Sequence, residues 1–415
     1  MLVLIVGFLF TGIEPSVSGI IIRPSDLILL LLISLEGIFC VNSPQGLPQF
    51  YGLKNRITIL FIVLVIYKFI DGAYKTDFKT SFVELAQASE YLIFYFFVIK
   101  YLSNYNSRER FFKFLQISTL AVALFAAFYH ISKGKLTDYK DLDEARISFG
   151  ICALFSFYFY LKRGTFFSTF IFILAFVLML LSGERKGWLA FAFGAIYLNF
   201  FFEGKLKLTT IFFIKRIIAP AILLIVFLIT SSYLSSDKYY LQQQSTFEEI
   251  PSLISNFQEN LQYRQSLDYN AFASRSDAAR YYVFMTGIYE FEKDPIFGIG
   301  TGNFRKIVIE VSPDPWIRNG AHNEYLNTLV EYGSIGLIIF IILLLIIFKT
   351  IRRIESFGDM RDQHRSFIMA IFIYMSVINF FDGGGDAINY VFILLPAALT
   401  VSLMRERNYW QSYIS

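Results

Sequence analysis

From Leu337 to Phe348, twelve successive residues are Leu, Ile or Phe, so a helix built there is apolar on every face. Such a segment offers no wet face to water, and in lipid its backbone polar groups must be satisfied within the segment, which selects the helix. Comparable apolar blocks recur along the chain, long enough to cross a hydrocarbon core of about 30 Å at about 20 helical residues per crossing. A membrane β-barrel would need alternating segments of about ten residues, and these blocks do not alternate. The whole chain agrees: 55% of its 415 residues are hydrophobic, 17% are charged and the mean hydropathy is +0.53, values suited to lipid as the main solvent. The sequence predicts an all-α, polytopic membrane helix bundle. Spans are expected at 1–21, 25–41, 57–71, 83–101, 111–131, 148–162, 165–182, 187–202, 217–234, 324–348, 366–382 and 388–404, about twelve in all.

Lys and Arg set the expected orientation. The loops after even-numbered spans carry Lys54 and Arg56, Arg108 and Arg110, Lys162 and Arg163, Lys205 to Arg216, Lys349 to Arg365, and Arg405 and Arg407. Basic loops stay cytoplasmic, so both termini are expected inside. Met1 to Phe10 lacks the basic start of a signal peptide and reads as a retained first span, with Pro15 leaving its end open. The net charge of +4 then fits anionic lipid at the cytoplasmic face, and nucleic acid is not an expected partner. Cys40 and Cys152 lie in apolar runs without a CxxC or a nearby His, so neither a metal site nor a disulfide is expected.

Three regions follow. Residues 1–234 hold nine spans, residues 235–323 form one long hydrophilic loop on the outer, extracytoplasmic face, and residues 324–415 hold three further spans and a cytoplasmic tail. Within the loop, Ser276 to Lys293 predicts an amphipathic helix with Ser276 as N-cap, and Pro295 with the glycines after it ends that helix. The loop is where chemistry is expected.

That topology brings Arg185, Arg280 and His322 to the outer membrane boundary. Guanidinium offers a rigid fork that matches two phosphate oxygens, so arginines with few acids nearby suit a phosphate ligand. Snorkelling of a lone interfacial Arg is the plainer alternative. Arg185 and Lys186 are a cationic pair on a side otherwise poor in cations, within Ser182-Gly183-Glu184-Arg185-Lys186-Gly187-Trp188; a surface pair of Arg185 with Glu184 beside a belt tryptophan is the competing reading. His322 stands before a long apolar helix, where a neutral imidazole can accept a proton from an attacking hydroxyl, with Asn323 or Glu324 orienting it or the acceptor. The other two histidines, His130 and His364, lie near span ends in ordinary contexts. Gly298-Ile299-Gly300-Thr301-Gly302-Asn303 is a poor dinucleotide loop because it follows a helix, and a tight turn returning the loop helix to the membrane explains it better.

Three stretches together resemble the O-antigen ligase/polymerase superfamily. One is Arg280 followed, after fourteen residues, by Pro295-Ile296-Phe297-Gly298-Ile299-Gly300-Thr301-Gly302-Asn303-Phe304; another is His322-Asn323 followed, after nine residues, by Gly333-Ser334-Ile335-Gly336; the third is Ser182 to Trp188. In the third, Glu184 and Lys186 replace a small residue and a glycine of the family pattern. The resemblance implies an enzyme of the bacterial inner membrane that moves an undecaprenyl-diphosphate-linked glycan to a glycan or lipid A-core acceptor, without a cofactor or metal. It further implies that Arg185 and Arg280 hold the diphosphate and that His322 assists the acceptor hydroxyl, with Lys186, Asn303, Asn323 and Glu324 as substrate contacts. Attack from the face opposite the leaving group would invert the anomeric centre. The glycines of Gly333-Ser334-Ile335-Gly336 are expected to thin the helix for close packing.

Ligase and polymerase differ in acceptor, and the motifs do not separate them. A lipid-linked oligosaccharide flippase or another transporter is the alternative from a different class. It calls for charges near the bilayer midplane and pseudo-symmetric halves. Lys68 and Glu90 are the main candidates for such charges, and no symmetry is visible.

Overall fold

The computed structural model describes residues 16–17, 20–21, 56–76, 78–102, 105–132, 143–181, 185–202, 275–311, 323–353, 359–381 and 394–404. Apart from a short ladder of β1 (Ser16–Val17) against β2 (Ile20–Ile21), the regular structure among the described residues is helical. The helices are α1 (Arg56–Lys75), α2 (Phe78–Tyr101), α3 (Tyr105–Ser132), α4 (Asp143–Arg163), α5 (Phe166–Leu181), α6 (Arg185–Phe201), α7 (Arg275–Lys293), α8 (Asn303–Val311), α9 (Glu324–Arg353), α10 (Asp359–Phe381) and α11 (Leu394–Met404). A helical bundle is thus what the chain builds. Of these helices, α1 and α9 are long and apolar enough to cross a membrane, and α5 and α11 are shorter apolar helices.

Nine of the expected spans coincide with a helix, and those at 25–41 and 217–234 lie outside the described residues. The span expected at 1–21 is corrected at its end, because Val17 pairs with Ile20 and Ser16 with Ile21 in an antiparallel ladder. Pro15 lacks the N–H that would carry a helix through this point, and the β-branched Val17, Ile20 and Ile21 suit a strand. The amphipathic loop helix is present as α7, beginning at Arg275, so Ser276 sits inside its first turn instead of capping it.

The core is aromatic and the outside is aliphatic and aromatic as well. Tyr158 stacks on Phe367 at 4.1 Å between centroids, and Phe155 and Phe112 meet the same ring edge-on at 4.9 and 5.0 Å. These rings tie α3, α4 and α10 together. Outward-facing Ile59, Ile66 and Ile70 on α1, Phe166, Phe167 and Phe170 on α5, and Ile338, Ile341 and Leu345 on α9 are all exposed. Helices apolar inside and out are what a lipid solvent selects. Close packing supplies the association energy there, as at Gly194 of α6, where an added Cβ would stand 3.1 Å from the Ala370 carbonyl of α10. The α4–α5 hairpin is tight: Gly164 has φ +58 and donates to the Tyr160 carbonyl, and Thr165 caps α5 by accepting from the Ser168 N–H at 3.3 Å.

Several basic helix ends expected in the even-numbered loops gather at one end of the bundle. Lys162 of α4 contacts Glu109 of α3 at 2.7 Å, Arg163 reaches the same carboxylate at 3.7 Å, and His364 of α10 lies 3.3 Å from it. The His364 ring stacks on Tyr105 at 4.7 Å and is fully buried. Arg108, also buried, donates to the Leu102 carbonyl at 2.9 Å, and Ser402 of α11 donates to the same oxygen. Ser366 of α10 donates to Phe201 at the end of α6. Burial pushes the Glu109 carboxyl up, but hydrogen bonds from His364 and Lys162 together with the Lys162 charge outweigh it and hold Glu109 at about 2. Burial works in the other direction on His364, drawing it down to about 4, so the imidazole is neutral at pH 7 and Lys162 is the cation that balances Glu109.

Candidate functional site

α9 is not one continuous helix. Gly333 has φ 64° and ψ −168°, a conformation that belongs almost only to glycine. An α-helix would join the Ser334 N–H to the Val330 carbonyl and the Ile335 N–H to the Glu331 carbonyl, four residues back. At the break both bonds are gone. Each freed group is taken up by the turn after α7: Ile299 N–H donates to Val330 and Gly300 N–H to Glu331, both at 2.9 Å, while Ser334 N–H donates to Pro295 at 2.9 Å and Ile335 N–H to Ile296 at 3.3 Å. The Ser334 hydroxyl adds a bond to Pro295 at 2.7 Å, and the Tyr67 hydroxyl of α1 covers the Tyr332 carbonyl at 2.9 Å. A helix broken this way keeps its backbone groups paired.

The turn can enter the break because it carries little side-chain bulk. Gly298, Gly300 and Gly302 all have positive φ, at 74°, 93° and 71°. A Cβ on Gly298 would lie 2.6 Å from the Glu331 oxygen, and one on Gly333 would lie 2.6 Å from the Phe297 nitrogen. Gly333 therefore breaks its helix where sequence spacing predicted only thinning. Gly336 does pack closely, with Tyr67 3.4 Å from where its Cβ would be.

α1 holds the turn from the other side. The Lys75 ammonium lies 3.2 Å from Asp71 and 3.1 Å from Asp294, and donates to the Gly298 carbonyl at 2.6 Å. Thr76 donates to the Thr301 carbonyl at 2.9 Å, and the Thr301 hydroxyl, itself buried, lies within 3.1 Å of the Tyr332 hydroxyl and 3.2 Å of the Lys68 carbonyl. The Lys68 ammonium sits 4.3 Å from the centroid of the Tyr332 ring. Asp294 also turns the chain by accepting from the Phe297 N–H at 3.2 Å.

Of the expected site residues, Asn303, Asn323 and Glu324 stand at the starts of α8 and α9, on either side of this turn. Asn323 caps α9: its side-chain oxygen accepts from the Leu326 N–H at 3.0 Å, and its carbonyl accepts from Asn327 at 2.9 Å. Glu324 is the first residue of α9 and is buried. Asn303 opens α8 and donates to the Ile299 carbonyl at 2.8 Å and to the Lys75 carbonyl at 3.5 Å. Arg280 lies on α7 and Arg185 is the first residue of α6, with Lys186 half-buried behind it. His322 lies outside the described residues, directly before Asn323. The Trp188 indole donates to the Met179 carbonyl at 2.8 Å, fastening the end of α5 to the start of α6 across the stretch that contains Arg185.

α7 packs on α9 through a second apolar cluster of Tyr282, Val283, Phe304, Val308, Leu326 and Val330, apart from the main core. Gly287 sits within it, where an added Cβ would stand 3.3 Å from Val330 and 3.4 Å from Leu326. Sequence reading missed Asp71, Lys75 and Thr76 as parts of this assembly, and named Thr301 only as part of the turn. The trace of the first two was an acid and a lysine at i and i+4 in the last turn of α1.

Residues 170–341 match the family model described as O-Antigen ligase. The match runs from α5 into α9 and takes in all three stretches that carry the resemblance. No curated protein matches the chain.

Proposed function

We propose, for a chain whose residues 170–341 belong to the O-antigen ligase family, that it is a membrane glycan transferase acting at the junction of α7, α9 and the turn between α7 and α8. The donor is a glycan on undecaprenyl diphosphate, and the acceptor is a sugar hydroxyl on another glycan or on the lipid A-core. The end of the bundle that holds this junction faces away from the cytoplasm in a multi-pass inner-membrane protein with both termini cytoplasmic. The observation that carries the reading is the four-bond backbone pairing of the 295–300 turn with the α9 break, because it joins two stretches that both belong to the family match.

The register of α7 on α9 supports the site. Gly287 is level with Leu326 and Val330, and ten residues later the turn meets α9 at Gly333, so the two helices run the same way into the junction. Two turns back along α7, about 10 Å at 1.5 Å per residue, lies Arg280, in helical register with Gly287, which supports a role for it near the start of α9.

Chemically, the acceptor oxygen bonds to the anomeric carbon as the bond from that carbon to the donor phosphate breaks, and the electron pair leaves with undecaprenyl diphosphate. Arg280 and Arg185 stabilise the negative charge growing on the leaving oxygens, a transition-state interaction that raises turnover. His322 takes the hydroxyl proton, and its chain neighbour Asn323 is engaged as the α9 cap. Lys186, Asn303 and Glu324 contact the glycan or hold its pocket. Attack opposite the leaving group inverts the anomeric configuration, and no metal takes part.

The test is transfer from a purified lipid-linked donor by the purified protein. Arg280→Ala and His322→Ala are each expected to lower turnover by at least about a hundred-fold. Native turnover in both variants rejects this site and returns the transporter reading, and a product of retained configuration rejects the single-displacement chemistry.

A further inference from the structure

We propose that Lys75, on α1 and outside the matched family domain, is a positioning residue that locks the α7–α8 turn into the α9 break and so sets how α7 sits against the start of α9. The proposal rests on the transferase reading above. An ammonium has three protons, and Lys75 has three acceptors in contact, Asp71, Asp294 and the Gly298 carbonyl. Its donors are committed within the protein, which distinguishes it from a residue that waits for a phosphate.

Each acceptor belongs to a different part of the assembly. Asp71 is buried on α1 itself, Asp294 is the residue whose other oxygen turns the chain at Phe297, and Gly298 is the glycine pressed against the Glu331 carbonyl. Removing the ammonium leaves two carboxylates facing one another across α1 and the turn, with no cation between them, and like charges at short range repel. The turn is then pushed from the break at the point where it enters. Undocking strands the carbonyls of Val330 and Glu331 and the N–H groups of Ser334 and Ile335, so partial displacement spreads to the path of α9. The α9 mouth and α7 move relative to one another, and a misplacement of about 1 Å between reacting groups costs on the order of a hundred-fold in rate.

The experiment compares Lys75→Met, which keeps length and removes charge, with Lys75→Arg, which keeps charge, in the lipid-linked transfer assay, alongside Arg280→Ala and His322→Ala. Expected for Lys75→Met are a fall in kcat of about ten-fold to a hundred-fold and a donor KM within about three-fold of native, with Lys75→Arg recovering most of the loss. The proposal is overturned by native kcat in Lys75→Met, by a rise in KM at unchanged kcat, or by Lys75→Arg being as impaired as Lys75→Met. Should Lys75→Met not fold, Asp294→Asn decides, since it retains the oxygen that turns Phe297 and loses the charge; native kcat there also overturns it. Loss of transfer in Arg280→Ala and His322→Ala with native turnover in Lys75→Met sinks this inference alone, whereas native turnover in the first two sinks the transferase site itself.

Discussion

The two ends of this bundle are fastened by opposite means. At one end, α3, α4 and α10 meet through side chains: the Glu109 carboxylate, the Lys162 ammonium, the His364 imidazole and the Tyr105 ring. At the other, α9 and the turn after α7 meet through backbone, with glycines at the closest approaches and side chains from α1 arranged around them. A side-chain junction depends on charge and so answers to pH. The backbone junction depends first on the absence of atoms, tolerating no added carbon at the pairing glycines, with the Lys75 ammonium and its two carboxylates holding it from α1. A precise reaction centre gains from the second kind, since hydrogen bonds between fixed backbone segments hold geometry without rotamer freedom.

The sharpest way to break the contrast is Gly333→Ala. It forces a Cβ into the Ile296–Phe297 peptide and places a non-glycine residue in a glycine-only conformation, so the four pairing bonds cannot persist together. We expect a loss of about 5 kcal/mol or more, seen as failure to recover monodisperse protein in detergent. Glu109→Gln attacks the other end. It leaves the Lys162 ammonium partly buried without its counterion, for about 3 kcal/mol read as a lower unfolding midpoint, with transfer activity retained in the protein that folds.

Acid acts on the first end through His364 and Glu109. His364 is held at about 4 when folded against an ordinary value near 6.5, so the unfolded chain takes up this proton first as pH falls. Stability is then lost from about pH 6.5 down to about pH 4, by about 3 kcal/mol at the bottom of that window. The low value of Glu109 extends the loss from about 4.5 toward 2, since its contribution is present above the unfolded value and disappears as the carboxylate protonates. His364→Phe, which keeps a ring against Tyr105 and Phe112, should flatten the upper part of this profile. The smallest effect is expected of Gly164→Ala, where φ is also positive but nothing lies within 4 Å of the new Cβ; about 1 kcal/mol of backbone strain is the expected cost. A Gly164→Ala loss as large as that of Gly333→Ala would mean that backbone strain, not the docked turn, dominates.

Hydropathy carried the fold far because twelve unbroken apolar residues such as Leu337 to Phe348 leave a helix as the one satisfied backbone. The loop helix and the turn after it were legible for similar local reasons, the near-helical spacing of Tyr281, Phe284, Met285, Ile288 and Phe291 and then Pro295 with its glycines. What was illegible is long-range. A glycine in an apolar run is consistent with packing or with breakage, and only the arrival of residues 295–300, more than thirty positions upstream, decides for breakage at Gly333. Lys75 was hidden likewise, since its partners Asp294 and Gly298 lie more than two hundred residues away. The end of the expected span 1–21 failed where Pro15 and the β-branched residues after it overrode the apolar average.

The central claim is that the docked turn brings α7's Arg280 to the α9 mouth. It is tested most directly by crosslinking a protein whose native cysteines, Cys40 and Cys152, are replaced, with new cysteines in place of Ala279 and Ala321, the neighbours of Arg280 and His322. The Thr76→Cys/Thr301→Cys pair, whose native side chain and carbonyl are 2.9 Å apart, serves as reference. Efficient bridging of positions 279 and 321 by a short bifunctional maleimide, slowed but not abolished by Lys75→Met, is the predicted result. Efficient bridging of the reference pair with none between 279 and 321 would contradict the account.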